Sequence, residues 1–245
     1  METPKTRLLI DAGLSSRQTA QRLAACGINP LEIDGILLTH EHCDHSGALD
    51  VWCKQWSTPI YCNRTTAESL QRGSTPGKDW RYFPTGSTFS IKDVTIESFP
   101  VPHDAVEPVG FVLHAEGATL GVLTDLGKAT NLVVERSRRA HTLLIETNHD
   151  EKMLQNDTRR PWSVKQRIMS QHGHLSNAAA ASVLAELLGG ALRRAVLGHL
   201  SRDCNSPELA VGAVRSRLDA EGGSAVEVYC ATQREVTPRF AVAAA

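Results

Sequence analysis

The sequence predicts an α/β fold, on three observations. Short β-type runs alternate with helical ones almost to the end of the chain. A central stretch changes to β-runs separated by Gly, Pro and Asp. The 245 residues, 41% hydrophobic and 22% charged, suffice for one substantial core, with no compositional break that demands a second. One domain over residues 1–245 is expected.

The elements follow in order. Lys5 to Asp11 reads as a strand, and Ser15 to Ala25 as a helix with a Ser cap and Gly27 just past its end. Ile33 to Leu38 is a second strand. Leu49, Trp52, Cys53 and Trp56 recur at helical spacing and predict an apolar helix face that packs into the core. Pro59 to Cys62 is a short strand and Thr66 to Gln71 a short helix, which runs into the Gly/Pro-containing loop RGSTPGKDW. From Phe89 to Leu123 the runs FSI, VTIESF, VGFVLH and TLGVLTD predict an antiparallel meander. Alternation then resumes: LVVERSRR as helix, TLLIETN as strand, Ala178 to Leu188 as a helix capped by Ser176 or Asn177 and stopped by Gly189-Gly190, and RRAVLGHL as strand. Pro207 to Leu218 is a helix with Ser206 as cap, Ala225 to Cys230 the last strand, and AVAAA a frayed terminus.

A formal net charge of −1 argues against a wholesale electrostatic hold on nucleic acid or membrane, so an anionic partner must be captured locally. No apolar run approaches the roughly 20 residues that span a bilayer. The opening METPKTRLLIDAG lacks the apolar core of a secretory signal, so a soluble, cytoplasmic protein without a membrane partner is expected. Six cysteines without a C-x-x-C pair suit reduced thiols better than a disulfide framework.

The chemistry gathers where strands end. IDGILLTH ends on His40, TIESFPVPH on His103, TLGVLTD on Asp125 and RRAVLGH on His199. In layered α/β architectures active sites form where strand ends and their loops converge. The stretch THEHCDHSG packs three histidines, a glutamate and an aspartate into nine residues. His40 and His42, two apart in a tight loop, can approach one cation together, while Asp44 and His45 can turn toward a neighbouring one. Imidazole with carboxylate suits Zn²⁺, Mn²⁺ or Fe²⁺, and Ca²⁺ poorly. A lone histidine is usually a satisfied core or surface residue; H-x-H-x-D-H is not a lone histidine.

THEHCDHSG resembles the signature of the metallo-β-lactamase fold superfamily, and the resemblance continues through LLIDAG, PHD at 102–104, TDLG at 124–127 and LGHLS at 197–201. It implies a four-layer αββα sandwich. It further implies two divalent metal ions, Zn²⁺ or Mn²⁺, one held by His40, His42 and His103, the other by Asp44, His45 and His199, with Asp125 bridging both and Asp11 supporting the ligands from behind. Two such ions can share a water, lower its pKa and clamp the attacked group. With Asp44, Asp125 and a bridging hydroxide the site keeps a charge of about +1 for an anionic substrate. A phosphodiester fits that charge; a thioester or lactam is not excluded by it.

IETNHD at 145–150, HGHLSN at 172–177 and LGHLSRDCNSPELA at 197–210 look most like the YycJ-like (WalJ) group of this superfamily, whose members are described as DNA exonucleases. More distantly, Glu146 resembles the glutamate of the IEST motif, and His174 the histidine of the SGHA motif, in the β-CASP nucleases. The resemblance implies a DNA exonuclease acting through a metal-bridging hydroxide, with Asp44 ligating and orienting and His174 assisting at the phosphate. Glu146 would support the ligands; His149, His172, His174, Ser176 and Arg160 are the candidate substrate contacts. His174 precedes the expected helix cap, where free N–H groups favour a phosphate. For His172, local capping and substrate contact stay open.

Between Asp157 and Glu186 the chain has no acidic residue but carries Arg159, Arg160, Lys165 and Arg167 around Trp162, a stretch able to follow a nucleic-acid backbone. Arg136, Arg138 and Arg139 read as a solvated helix face. Relatives in the group usually begin with a further strand and a Gly/Ser-rich loop of the SGSSGN kind, whereas this chain starts at what would be their second strand, so an uncovered sheet edge is expected. The competing readings are a thioester or lactone hydrolase of the same fold, and a non-catalytic metal-bound DNA-binding or regulatory protein.

Overall fold

The computed structural model describes residues 1–72 and 77–242. The chain folds as two compact units, Met1–Pro100 with Ala105–Val109, and Val101–Asp104 with Gly110–Ala245. The loop expected at 72–80 and the terminal AVAAA fall partly outside the described residues.

In the first unit β1 (Leu8–Ile10), β2 (Gly35–Leu37), β3 (Ile60–Cys62) and β4 (Trp80–Tyr82) form a parallel sheet in that order. Ile36 pairs with Leu9 on one side and Ile60 on the other. Ile36, Leu37 and Leu38 are all fully buried, which explains why this strand is a continuous apolar run and not an alternating one. Among the described residues this unit has the α-helices α1 (Ser16–Ala25), α2 (Cys43–Ser46), α3 (Leu49–Gln55) and α4 (Arg64–Gln71). Helix α1 begins in a capping box between Ser15 and Gln18, and Gly27 leaves it at φ 71°. Trp52 anchors the core beside Ile36, Leu38, Leu49, Ile60 and Cys62, and its indole N–H donates to Thr58 Oγ1 at 3.0 Å, so this large ring is buried with its one polar group satisfied. The residues before β1 fold back on it: Met1 and Leu8 exchange backbone hydrogen bonds of 2.9 and 3.0 Å, so the start of the edge expected to be uncovered is paired locally. The unit ends with the antiparallel pair β5 (Thr88–Ile91) and β6 (Val94–Pro100).

In the second unit the strands are β7 (Val109–Ala115), β8 (Ala118–Leu123), β9 (Thr142–Glu146), β10 (Arg194–Gly198) and β11 (Glu227–Cys230), ordered β11-β10-β9-β8-β7. Only β7 and β8 run antiparallel; the other neighbours are parallel and are joined through helices. The helices are α5 (Asn131–Ser137), α6 (Glu151–Asn156), α7 (Trp162–Ile168), α8 (Asn177–Glu186) and α9 (Pro207–Ala220). Side chains of Thr130, Asp150, Ser176 and Ser206 cap α5, α6, α8 and α9, so Ser176 and not Asn177 is the cap of α8. Helices α2, α6 and α7 and strand β4 were not foreseen from sequence. Each is three to seven residues long, too short for a periodic signal. Among the described residues no helix is long and apolar enough to cross a membrane.

Burial separates the thiols. The Cys62 thiol, wholly enclosed, is pushed up to about 12, and burial raises Cys53 and Cys230 to about 11, whereas Cys43 is exposed on α2. Titration of the native chain with a disulfide reagent will therefore show a fast phase that Cys43→Ser removes, and Cys62 will react only on unfolding. Rapid labelling of Cys62 in native protein would contradict the packing of the first unit.

Candidate metal centre

In the first unit the donors follow β2 directly. Thr39 and His40 leave the strand, His42 stands at the N-terminal boundary of α2 without a side-chain cap, and Asp44 and His45 lie on its single turn. Gly13 makes this possible: a Cβ there would sit 1.4 Å from the Asp44 carbonyl oxygen, so only glycine lets the loop after β1 lie against α2. Two residues earlier Asp11 is held at φ 61°, a left-handed conformation rare for a non-glycine residue. Its carboxylate accepts from Thr39 N at 2.8 Å and from Thr39 Oγ1 at 2.9 Å, and meets His45 Nδ1 at 2.7 Å. Thr39 Oγ1 in turn lies 3.0 Å from His40 Nδ1. The His40 ring centroid is 4.6 Å from that of His42 and 4.2 Å from that of His45. Asp44 is the outlying member, its Oδ2 3.7 Å from His45 Nε2 and its side chain 62% exposed.

In the second unit the organising group is Glu146, at the end of β9 and fully buried. Its Oε1 accepts from His174 Nδ1 at 2.6 Å and from His199 Nδ1 at 2.9 Å, and its Oε2 accepts from the backbone N–H groups of Leu126 and Leu175 at 3.1 and 3.3 Å. Burial alone would raise this carboxyl, yet the two imidazoles hold it below its ordinary value. Asp125, 2% exposed, places Oδ1 3.4 Å from His174 Nδ1, 3.5 Å from His199 Nε2 and 3.7 Å from His103 Nε2. His103 Nδ1 donates to the Gly173 carbonyl at 2.9 Å, and burial pushes its imidazole down toward the neutral form. Asp125 and His199 also have positive φ, 53° and 56°. Ligand-type atoms of Asp125, Glu146, His174 and His199 all lie within 4.8 Å of one another.

One pattern runs through both units. His40, His45, His103, His174 and His199 each have Nδ1 engaged by a hydroxyl, carboxylate or carbonyl oxygen, which makes Nε2 the outward nitrogen. Metal-binding histidines are fixed in just this way, because the bond to Nδ1 sets both tautomer and ring orientation. The nitrogen and oxygen donors fit a divalent ion of borderline softness.

A family model described as a β-lactamase superfamily domain matches residues 6–200. The chain belongs to the β-lactamase superfamily. Two superfamily relatives align over nearly its whole length. Exodeoxyribonuclease YycJ of Bacillus anthracis is 34% identical over 232 residues, 93% of this chain and 88% of that protein. Exodeoxyribonuclease WalJ of Streptococcus pneumoniae is 35% identical over 245 residues, 97% of this chain and 91% of that protein. Among solved structures the metallo-β-lactamase fold protein YhfI from Bacillus subtilis, 17% identical, matches with a TM-score of 0.69 over 94% of this chain and 86% of that one. The fold is therefore that of the metallo-β-lactamases, with His/Asp clusters suited to divalent metal ions.

The remaining substrate-contact candidates have their own surroundings. His149 is buried at 2%, its backbone bridged to Ser176. The Ser176 hydroxyl caps α8 and donates to Glu151. His172 is exposed, with its backbone N–H on Ser170 Oγ. Arg160 is clasped by Asp157 and Asp203. Lys165, expected on a basic stripe, is instead buried and donates to the Gln155 carbonyl. Three supporting groups escaped sequence reading: Thr39, which links Asp11 to His40; the Gly173 carbonyl, which carries no side-chain signal; and Asp104, which pairs with Arg167. Of these Thr39 alone was findable, as a hydroxyl adjoining a candidate ligand.

Glu146→Gln keeps the volume but takes away the charge that holds two imidazoles. It will weaken binding of a divalent ion by about 10- to 100-fold while leaving the far-ultraviolet circular dichroism of the folded chain unchanged. Calorimetric titration with Zn²⁺ measures this; undiminished affinity would remove Glu146 from any part in the centre.

Proposed function

We propose that this chain is a two-metal phosphodiesterase that removes nucleotides from an end of DNA. The single observation that carries the reading is the set of five imidazoles with Nδ1 anchored and Asp125 among three of them. The substrate class is supported by two relatives named exodeoxyribonucleases, 34% and 35% identical and aligned over 93% and 97% of the chain.

On the superfamily pattern His40, His42 and His103 would hold one ion, Asp44, His45 and His199 the other, and Asp125 both; the geometry tolerates Zn²⁺ and Mn²⁺ alike, and availability decides. Ions bound there would supply Lewis acidity at the phosphoryl oxygens and a water of lowered pKa. The protein's own groups do the rest. Asp11 and Thr39 keep His40 and His45 in one orientation, and Glu146 does the same for His174 and His199. Although burial works against the charged form of His174, Glu146 and Asp125 raise its pKa above the ordinary value. A partly exposed imidazole held by Glu146 through Nδ1 can, when protonated, hydrogen-bond a phosphate oxygen and pass a proton to the leaving sugar oxygen.

That role has a signed pH consequence. A general acid must be protonated, so kcat will fall as pH rises through the raised pKa of His174; His174→Ala will lower kcat by about 100- to 10,000-fold and flatten that alkaline limb. A variant that keeps the limb would assign the proton elsewhere. The function itself is tested on end-labelled single- and double-stranded DNA and RNA, with Zn²⁺ or Mn²⁺ restored to stripped protein and Asp125→Ala as control. Metal-dependent shortening of DNA from one end, missing in the control, is expected. Intact nucleic acid alongside hydrolysis of a thioester or lactone would overturn the phosphodiesterase reading.

A further inference from the structure

We propose that helix α7 is a base-stacking subsite for single-stranded DNA, with Trp162 as its platform; this rests on the nuclease reading above. Trp162 is the most exposed tryptophan of the described chain, at 60%, whereas Trp52 is wholly buried and Trp56 and Trp80 are half-buried. A largely solvent-facing indole is poorly explained by stability alone, since burial is what large aromatics ordinarily contribute.

Position strengthens the case. Trp162 and Met169, also exposed at 37%, stand seven residues apart, so they share one face of the helix with exposed Gln166 between them. At 1.5 Å per residue this stripe runs about 10 Å along the axis. Its far end is tied into the donor loops of the same unit. The Ile168 carbonyl accepts from His174 N at 2.9 Å, the Gly173 carbonyl holds His103, and Arg167 pairs with Asp104, the residue after His103. Gly173 permits this closeness, because a Cβ there would lie 2.1 Å from the Ile168 carbonyl oxygen. Trp162 thus stands at the opposite end of a helix whose C-terminal end is tied to the loops that carry His103 and His174.

Charge selects the occupant. No acidic residue occurs between Asp157 and Glu186. The Arg159 and Arg167 side chains, just before α7 and near its C-terminal end, are 65% and 67% exposed. Each guanidinium has five donors, more than its carboxylate partners use, and so can also meet a phosphate. An aromatic face beside guanidinium groups is the recognition surface of an unpaired strand, whose bases, unlike those of a duplex, are open to stacking.

The test is fluorescence anisotropy of the full-length, zinc-loaded chain with a labelled single strand of about twelve nucleotides carrying phosphorothioate linkages. Trp162→Ala will weaken binding about ten-fold and Trp162→Phe will stay within about two-fold of the native chain. The same strand will quench the tryptophan fluorescence of the unaltered protein, a measurement that needs no variant. Alanine binding within about two-fold of native, or no quenching, overturns the subsite. Because turnover is not read, the two ideas fail separately. Trp162-dependent binding without cleavage supports the subsite and defeats the nuclease; DNA cleavage with Trp162-independent binding does the reverse.

Discussion

A carboxylate shut away from water, Glu146, is the constraint on which the second unit's chemistry depends. Left uncompensated it would be among the costliest groups a core can hold. Two imidazole and two backbone donors account for it, and they come from three separate loops, after β8, before α8 and at the end of β10. The group that is expensive to bury thus fastens together the segments that carry Asp125, His174 and His199. Asp11 has the corresponding part in the first unit, where one carboxylate gathers Thr39 and His45. Both carboxylates orient imidazoles through Nδ1, so the polypeptide's own hydrogen bonds set the positions of the metal-type donors.

The strands supply the second half of this arrangement. Asp11, Asp125 and His199 each follow a strand within two residues, and each adopts a left-handed backbone conformation. Such conformations cost on the order of 1–3 kcal/mol for ordinary residues and persist where surrounding structure over-determines them. Here the over-determination is visible: Asp11 is held by its side-chain bonds, Asp125 faces three imidazoles, and Asn148 donates to the His199 carbonyl. A sharp change of backbone direction at the strand end turns the side chain out of the sheet and into the loops, where chemistry can occur.

The 159–167 stretch reads linearly as a basic run, and folding gives each of its cations an oxygen partner while Arg159 and Arg167 stay largely exposed. Arg159 and Arg160 meet Asp157 and Asp203, Arg167 meets Asp104, and Lys165 is buried against a carbonyl. Partners 43 to 63 residues away in the chain cannot be read from a local window. What survives folding as distinctive is Trp162, the aromatic member of the run, at 60% exposed.

The sequence by itself determined the superfamily, the order of most strands and helices, and the donor types, because apolar periodicity, caps and an H-x-H-x-D-H spacing are local properties of neighbouring residues. It also marked Asp11 and Glu146 as supports through their motifs. It was silent on the short helices α2, α6 and α7, and on which atoms hold which. Only the tertiary structure decided that Thr39 and the Gly173 carbonyl orient His40 and His103, that one oxygen of Glu146 serves both His174 and His199, and that Gly13 and Gly173 permit the close approaches that fix the loops. The physical reason is that hydrogen bonds of about 3 Å depend on chain segments that meet only after the sheets have formed.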